Sequence, residues 1–373
     1  MYNCITSQHH LPTHPEVPPS ARRLAEEIAR EYAKQDALAN RCRAQQAREI
    51  GQSVAREVHD LIGDDNYLRF RHLLWSERIK TRNLMQPPEG LTLDVRLLAR
   101  ARKERVNAYL QKLGVAPERF AEVVQAGRKK LDDVLDRHSP YRELAKVYAS
   151  AKFLDLFGDF LHDEAQVVTV FQPPYGGWQS GWHFDNYGSD DFRGGHQDFI
   201  DAVAGLAGHE VTLDNDDASD VDFAQAIADA QIAFWYQPPA TGIVEVTLEV
   251  QSLQAAHHLC TDDEWGWSDS NTKQNNLLMM HVMHPNVAGP SFAGASFFEW
   301  DTDDSECVDR QFIPSGARFF TRLTSSGAVP AGQWLVIRAG TRTLHQSFTN
   351  DVEIHSSSRF QYLLKSVAVR IAP

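Results

Sequence analysis

The sequence predicts an α+β protein in two parts. An N-terminal all-α antiparallel helical bundle, or a long helical hairpin, is followed by a C-terminal antiparallel β-sandwich of jelly-roll type. Three changes coincide near residue 164. The spacing of apolar residues falls from three or four to two. Residues 1–164 hold 27 Lys and Arg against 24 Asp and Glu, a net of +3, whereas residues 165–373 hold 10 against 26, a net of −16. The last long helical stretch also gives way to Gln172-Pro173-Pro174. The expected division is a flexible leader over 1–20, a helical bundle domain over 21–164, and a β-sandwich domain over 165–373 with a partly helical insertion at about 195–230.

The leader is read from Pro12, Pro15, Pro18 and Pro19 and three His residues, with no basic flank and apolar core of a Sec-type signal peptide. Ser20 then stands as N-cap of a long helix to Leu61 and Ile62, with Glu26, Glu27 and Glu31 near the positive end of its dipole. Leu24, Ile28 and Tyr32, and later Ile50, Val54, Val58 and Leu61, form one apolar stripe. A second helix is expected from Asn66 to about Leu84, ended by Pro87-Pro88. A third runs from Thr92 to Leu113 and stops at Gly114, a fourth opens at Pro117, and a fifth follows Ser139-Pro140.

In the β half, Val244, Val246, Leu248 and Val250 alternate with Glu245, Thr247 and Glu249, so one face meets a core and the other meets water. Further strands are expected over 166–171, 230–236, 276–283, 294–299, 317–323, 333–338, 342–348 and 359–371, separated by Gly, Pro, Asp and Ser clusters. His196–Leu206 and Phe223–Ala230 read as short helices, and 173–182 as irregular chain.

A net charge of −13 concentrated in the β half disfavours nucleic acid as a partner, and the interleaved acids of the helical half describe ion-paired helix faces rather than a phosphate-binding stripe. No apolar run reaches the roughly 18 residues of a membrane span. The four cysteines form no CxxC pair. They are expected as free thiols, with a Cys260–Cys307 bridge as the alternative, in the cytoplasm or after export without a cleaved signal peptide.

GxSxG, GxGxxG, Walker-type and HExxH motifs are absent from the sequence. Three acidic–aromatic clusters remain. They contain Asp214, Asp216 and Asp220; Asp262 and Asp263 with Trp265 and Trp267; and Trp300 with Asp301 and Asp303. Loops this rich in carboxylates can supply the several oxygens a Ca²⁺ ion takes, and the three indoles can stack on a sugar. The alternative is a set of solvated acidic loops.

His183-Phe184-Asp185 has the spacing of two ligands on one strand face, and His345 and Arg359 follow Trp334-Leu-Val-Ile337 downstream. This pattern resembles that of the 2-oxoglutarate-dependent oxygenases. The resemblance implies Fe(II) held by His183, Asp185 and His345, with Arg359 as the oxoglutarate anchor. Three functions are therefore expected. The first is a non-enzymatic structural or binding protein, forming homo-oligomers and taking a protein or carbohydrate partner. The second is an Fe(II)/2-oxoglutarate oxygenase, and the third a secreted toxin with a lectin-like C-terminal domain.

Overall fold

The computed structural model describes residues 3–70, 72–73, 95–137, 168–187, 192–215, 221–262, 271–302, 306–311, 315–350 and 353–372. Helices lie in the N-terminal part and the C-terminal part is antiparallel sheet, an α+β arrangement. The change of character near residue 164, the fifth helix and the segment 74–94 lie outside the described residues.

The first element is a strand, β1 (Asn3–His10), which corrects the flexible leader. It pairs antiparallel along its whole length with β3 (Gly177–Tyr187), so the N-terminus belongs to the β part of the molecule. A strand was not legible here because its partner lies about 175 residues away in a stretch read as irregular. After a turn the chain enters α1 (Pro19–Ile62). Pro18 occupies the N-cap without a side-chain cap bond and Pro19 the first turn, in place of the expected Ser20 cap. Proline costs nothing there because the first N–H groups have no intrahelical acceptor. Residues 64–70 are helical, followed after the undescribed stretch by α2 (Val95–Lys112) and α3 (Pro117–Arg137).

At about 1.5 Å per residue, the 44 residues of α1 span about 66 Å, and its two halves bury against different partners. Toward its C-terminus, Ile62 joins Phe70, Val106, Leu110, Val115, Phe120 and Val124 in one apolar cluster. Because α3 meets Ile62 through Phe120 and Val124, and Val54 through Gly127, it runs antiparallel to α1. The N-terminal half of α1 lies instead on a sheet, where Val17 and Ala25 pack with Ala233, Trp235, Met283 and Val336.

The strands form two antiparallel sheets. Sheet A has the order β1-β3-β6-β12-β8-β9, with β6 (Val221–Tyr236), β12 (Leu335–Asn350), β8 (Asn271–Met283) and β9 (Ser291–Thr302). Sheet B has the order β10-β7-β13-β5-β4, with β10 (Glu306–Gln311), β7 (Gly242–Asp262), β13 (Glu353–Ala372), β5 (Leu206–Asn215) and β4 (Phe192–Asp201). Two shorter partners complete sheet B: β11 (Arg318–Val329) continues beside β7 and β2 (Thr169–Phe171) beside β13. One apolar core joins the sheets. Ile232, Phe234, Leu278, Met280, Leu335 and Ile337 of sheet A meet Val244, Val246, Leu248, Phe360, Tyr362 and Leu364 of sheet B.

The expected helical insertion at 195–230 is corrected to β4, β5 and the first half of β6. The sequence Phe-Ala-Gln-Ala-Ile-Ala-Asp-Ala has high helix propensity, but tertiary burial overrides it. Ala224, Ala226 and Ala228 face the inter-sheet core with Trp182 and Phe184, while the alternate residues face α1. The two strands expected over 333–348 are one, β12, whose Gly340 admits the backbone of β6: a Cβ there would stand 2.0 Å from the Ala230 carbonyl oxygen.

The register places Tyr187 beside Phe223, Asn350 beside Val221, Phe348 beside Asn271 and Thr302 beside Thr272 in sheet A. In sheet B it places Phe192 beside Asn215, Ile354 beside Asn215, Glu353 beside Asp262 and Glu306 beside Thr261. The strand ends bracketing the five connections β3–β4, β5–β6, β7–β8, β9–β10 and β12–β13 thus share one end of the two-sheet body. Asp214, Asp262, Trp300 and Asp301, the described residues of the three acidic–aromatic clusters, lie on the backbone at that end.

Cys260 is disulfide-bonded, and Cys307 stands directly opposite it in the β7–β10 register, whereas Cys42 is free and exposed. The expectation of free thiols throughout is corrected at Cys260.

The α1–α3 contact has a sharp test. A Cβ on Gly127 would stand 2.2 Å from the Val54 side chain. Gly127→Val is expected to destabilise the helical part by about 1–3 kcal/mol through overpacking. Urea unfolding followed by far-ultraviolet dichroism checks this, and Val54→Ala in the same chain should recover part of the loss.

Candidate functional site

The seam between α1 and the outer face of sheet A concentrates buried polar groups. On β12, alternation sends Val336, Arg338, Gly340, Arg342, Leu344 and Gln346 toward α1, and Leu335, Ile337, Thr343 and His345 into the space between the sheets. At its centre the buried Arg342 guanidinium donates from Nε and Nη2 to Asp229 of β6 at 2.6 and 2.7 Å. It also donates from Nη1 and Nη2 to Asp36 of α1 at 3.3 and 3.1 Å. Burial alone would lower the Arg342 pKa, but the two carboxylates hold it well above its ordinary value.

One step from Arg342 along the seam, His183 Nε2 touches Asp185 Oδ2, which also accepts a hydrogen bond from Gln225 Nε2 at 3.0 Å. Gln225 donates from the same nitrogen to the Asn40 carbonyl of α1 at 3.2 Å. In the other direction Arg338 is among the largest fully buried side chains, and burial pushes its pKa down to about 10. His281 stands opposite it on β8 and meets the Tyr32 ring edge-on at 4.4 Å. Burial, with the charges of Arg338 and Arg342, lowers the His281 pKa to about 3, so the imidazole is neutral at physiological pH. A crevice of about 50 Å³ opens beside Asp36, Tyr32, Gln179, His183 and Asp229. At roughly 10–15 Å³ each it holds three or four water-sized groups.

The iron site implied by the oxygenase resemblance is not assembled. In the register, Phe184, Ala226 and His345 lie side by side across β3, β6 and β12, so His345 shares the face of Phe184 and not that of His183 and Asp185. Its ring accordingly binds Ser358 and Ser356 of sheet B, inside the body, while His183 and Asp185 face α1. Arg359 follows Ser358 onto the outer face of sheet B, where it pairs with Glu210 and covers the Phe199 ring. These residues do not fit an Fe(II) centre with an oxoglutarate anchor. Among the described residues, no group of three His, Cys, Asp or Glu is placed to hold a metal ion.

Of the acidic–aromatic clusters, Asp214 lies on β5 and ion-pairs with His355 at 3.5 Å. The backbone places Asp262 opposite Glu353, Trp300 opposite Gln274 and Asp301 opposite Lys273. Asp216, Asp220, Asp263, Trp265, Trp267 and Asp303 lie outside the described residues.

Sequence reading missed Asp36, Asp229 and Arg342. The available signal was Arg338 and Arg342 sharing one face of a strand whose neighbours are apolar, since buried arginines need counter-charges. It also missed a second HxD pair on β4, where His196 stacks on Trp182 at 4.4 Å and lies 3.9 Å from Asp198.

No family model matches the chain, and no curated protein matches it. Among solved structures it is similar to the enzymatically active domain of bacteriophage CBA120 tailspike protein 4, at 6% identity and a TM-score of 0.13, covering 48% of this chain and 19% of that one. The Agl-KA catalytic domain matches at 11% identity and TM-score 0.13, over 45% of this chain and 27% of that one. TmCBM61, solved with beta-1,4-galactotriose, matches at 8% identity and TM-score 0.09, over 44% of this chain and 88% of that one. Likenesses this slight carry no argument about function.

The ion cluster is testable. Arg342→Met leaves Asp229 buried without its counter-charge and is expected to cost roughly 3–5 kcal/mol. Asp36→Asn, at a partly exposed partner, is expected to cost about 1 kcal/mol or less. Hydrogen exchange should rise in residues 19–43 of both variants while the core of sheet B stays protected.

Proposed function

We propose that this chain is a non-enzymatic binding or assembly protein, in which a helical bundle anchors or self-associates and a jelly-roll β-sandwich recognises a protein or carbohydrate partner. The strand pairing supports the jelly roll: β5 with β13, β6 with β12, β7 with β10 and β11, and β8 with β9 nest one inside another and alternate between the sheets. The antiparallel contact of α1 with α3 supports the bundle.

One observation carries the reading: the direction of α1. Its Ala25, with Val17 just ahead of the helix, packs near the start of β12, its Asp36 reaches Arg342, and its Asn40 reaches Gln225, opposite Gln346. The helix therefore runs parallel to β12. Its remaining turns head for the end of the body where the three acidic–aromatic clusters meet, so arm and recognition loops share one end. In this reading Asp214, Asp216, Asp220, Asp262, Asp263, Asp301 and Asp303 offer oxygens to Ca²⁺, and Trp265, Trp267 and Trp300 offer stacking faces. A chain with its α1 seam locked by ion pairs presents this end as a fixed surface, which suits recognition better than turnover.

Light scattering on the full chain is expected to give a mass that rises above one chain with concentration, and a mass fixed at one chain would remove self-association. Glycan and protein arrays probed with and without Ca²⁺ should give binding that is lost in Trp265→Ala/Trp267→Ala/Trp300→Ala with the dichroism spectrum kept. Binding unaffected by that triple variant would refute the loop end as the recognition surface.

A further inference from the structure

Between the sheets, below the apolar core and toward the loop end, lies a layer of three buried imidazoles: His209 of β5, His257 of β7 and His345 of β12. The partners that hold them are neutral. His209 Nε2 meets the Thr343 hydroxyl, which accepts from Asn276 Nδ2 at 2.5 Å. His257 Nδ1 donates to Gln274 Oε1 at 2.5 Å. Ser356 gives its hydroxyl hydrogen to the Leu213 carbonyl, so its oxygen accepts from His345 Nδ1 at 3.2 Å, and His345 Nε2 then accepts from Ser358 at 2.5 Å. That network satisfies a neutral His345 and sets no carboxylate beside a charged one. The partners come from both sheets: Thr343 of sheet A holds a sheet B ring, as does Gln274, and Ser356 and Ser358 of sheet B hold a sheet A ring. The layer is therefore a seam joining the sheets.

We propose that this layer is an acid-sensitive latch: proton uptake by His209, His257 and His345 in mildly acidic surroundings weakens the joint between the two sheets. The rings raise the electrostatic cost for one another. His345 is held well below the ordinary imidazole range by burial, then by His257 and His209. Burial lowers His209 to about 3, helped by His196, and lowers His257 to about 3 against the Gln274 hydrogen bond. The charged or titratable groups facing the layer from β4 are His196 and Asp198, with Asp198 opposite His209, and in the backbone register Arg310 of β10 stands opposite His257. Asp198 is engaged by His196 and Ser180, and burial holds its carboxyl above the usual range.

The sign follows directly. The unfolded rings bind protons near pH 6.5, whereas folded His209 and His257 bind them only near 3 and His345 well below its ordinary range, so their contribution is complete above 6.5 and is lost as pH falls below it. Each ring makes the unfolding equilibrium constant climb about tenfold per pH unit once the pH is well below 6.5, and three make it climb about 1000-fold. His281, beneath α1 and facing Arg338 and Arg342, adds a fourth proton of the same sign.

Denaturant unfolding of the full chain from pH 7.5 to 5.0, followed by near-ultraviolet dichroism, tests the latch. The wild-type midpoint should fall steeply below pH 6.5, and the variant His209→Asn/His257→Gln/His345→Gln should lose about three tenfold factors per pH unit, keeping the slope that His281 and His196 supply. A flat wild-type midpoint, or an equally steep variant, overturns the proposal. If the triple variant does not fold, His345→Gln alone keeps an amide donor and acceptor for Ser356 and Ser358. It should remove about one tenfold factor per pH unit, and an unchanged slope overturns the proposal. Imidazole proton shifts of the three rings in the folded chain should stay constant between pH 7.5 and 5.5, and titration near 6.5 would equally overturn it.

Discussion

Arg342 is the point on which the arrangement of helix and sheet depends. Its guanidinium is buried, and only with both Asp229 and Asp36 in place are four of its N–H···O contacts made. Asp229 is supplied by the adjacent strand and costs no additional ordering. Asp36 is supplied by α1, so the ion cluster is complete only when that helix lies across sheet A. Apolar contacts at Val17 and Ala25 hold the beginning of the helix but would tolerate sliding by a turn. A forked guanidinium between two carboxylates does not tolerate sliding, because bidentate geometry fixes direction as well as distance. The cluster is thus a register pin more than a source of net stability.

The pinned helix makes a single object of what the sequence presents as two. The change of period and charge near residue 164 is real as a pattern, yet α1 belongs to both regions and β1 belongs to sheet A. Charge composition reports what faces water, and the buried half of α1 contributes Ala, Ile and one aspartate that composition cannot separate from surface residues. The strand pairing of β1 was equally hidden, because register between segments so distant in sequence leaves no local trace.

What was legible follows the same logic. β7 could be read because Val244, Val246, Leu248 and Val250 face a core while Glu245 and Glu249 face outward, Glu245 to the guanidinium groups of Arg322 and Arg370. The first half of β6 could not, because both its faces are covered, by sheet B and by α1, and its alternation is between small and polar rather than apolar and charged. The HxD reading of His183 and Asp185 correctly placed them on one face, since spacing of two fixes that. Adding His345 required knowing which face of β12 it takes. Spacing within one strand decides that only relative to its own neighbours: Ile337 and Ala339 point inward, and an even number of steps carries His345 inward with them.

The two faces of β12 handle polarity in opposite ways. On the α1 side charges are kept and matched, with Arg342 held ionised by its carboxylates. On the inner side the ionisable groups, His345 together with His209 and His257, are kept neutral by hydroxyls and amides. Of the carboxylates facing Arg342, Asp229 has its pKa raised by burial against the pull of the guanidinium. A neutral buried imidazole loses its advantage as soon as the unfolded ring begins to bind protons, near 6.5. Acid therefore weakens the inter-sheet side from about pH 6.5 downward. In the proposed latch the joint that acid weakens lies on the face of β12 opposite the ion pairs of Arg342.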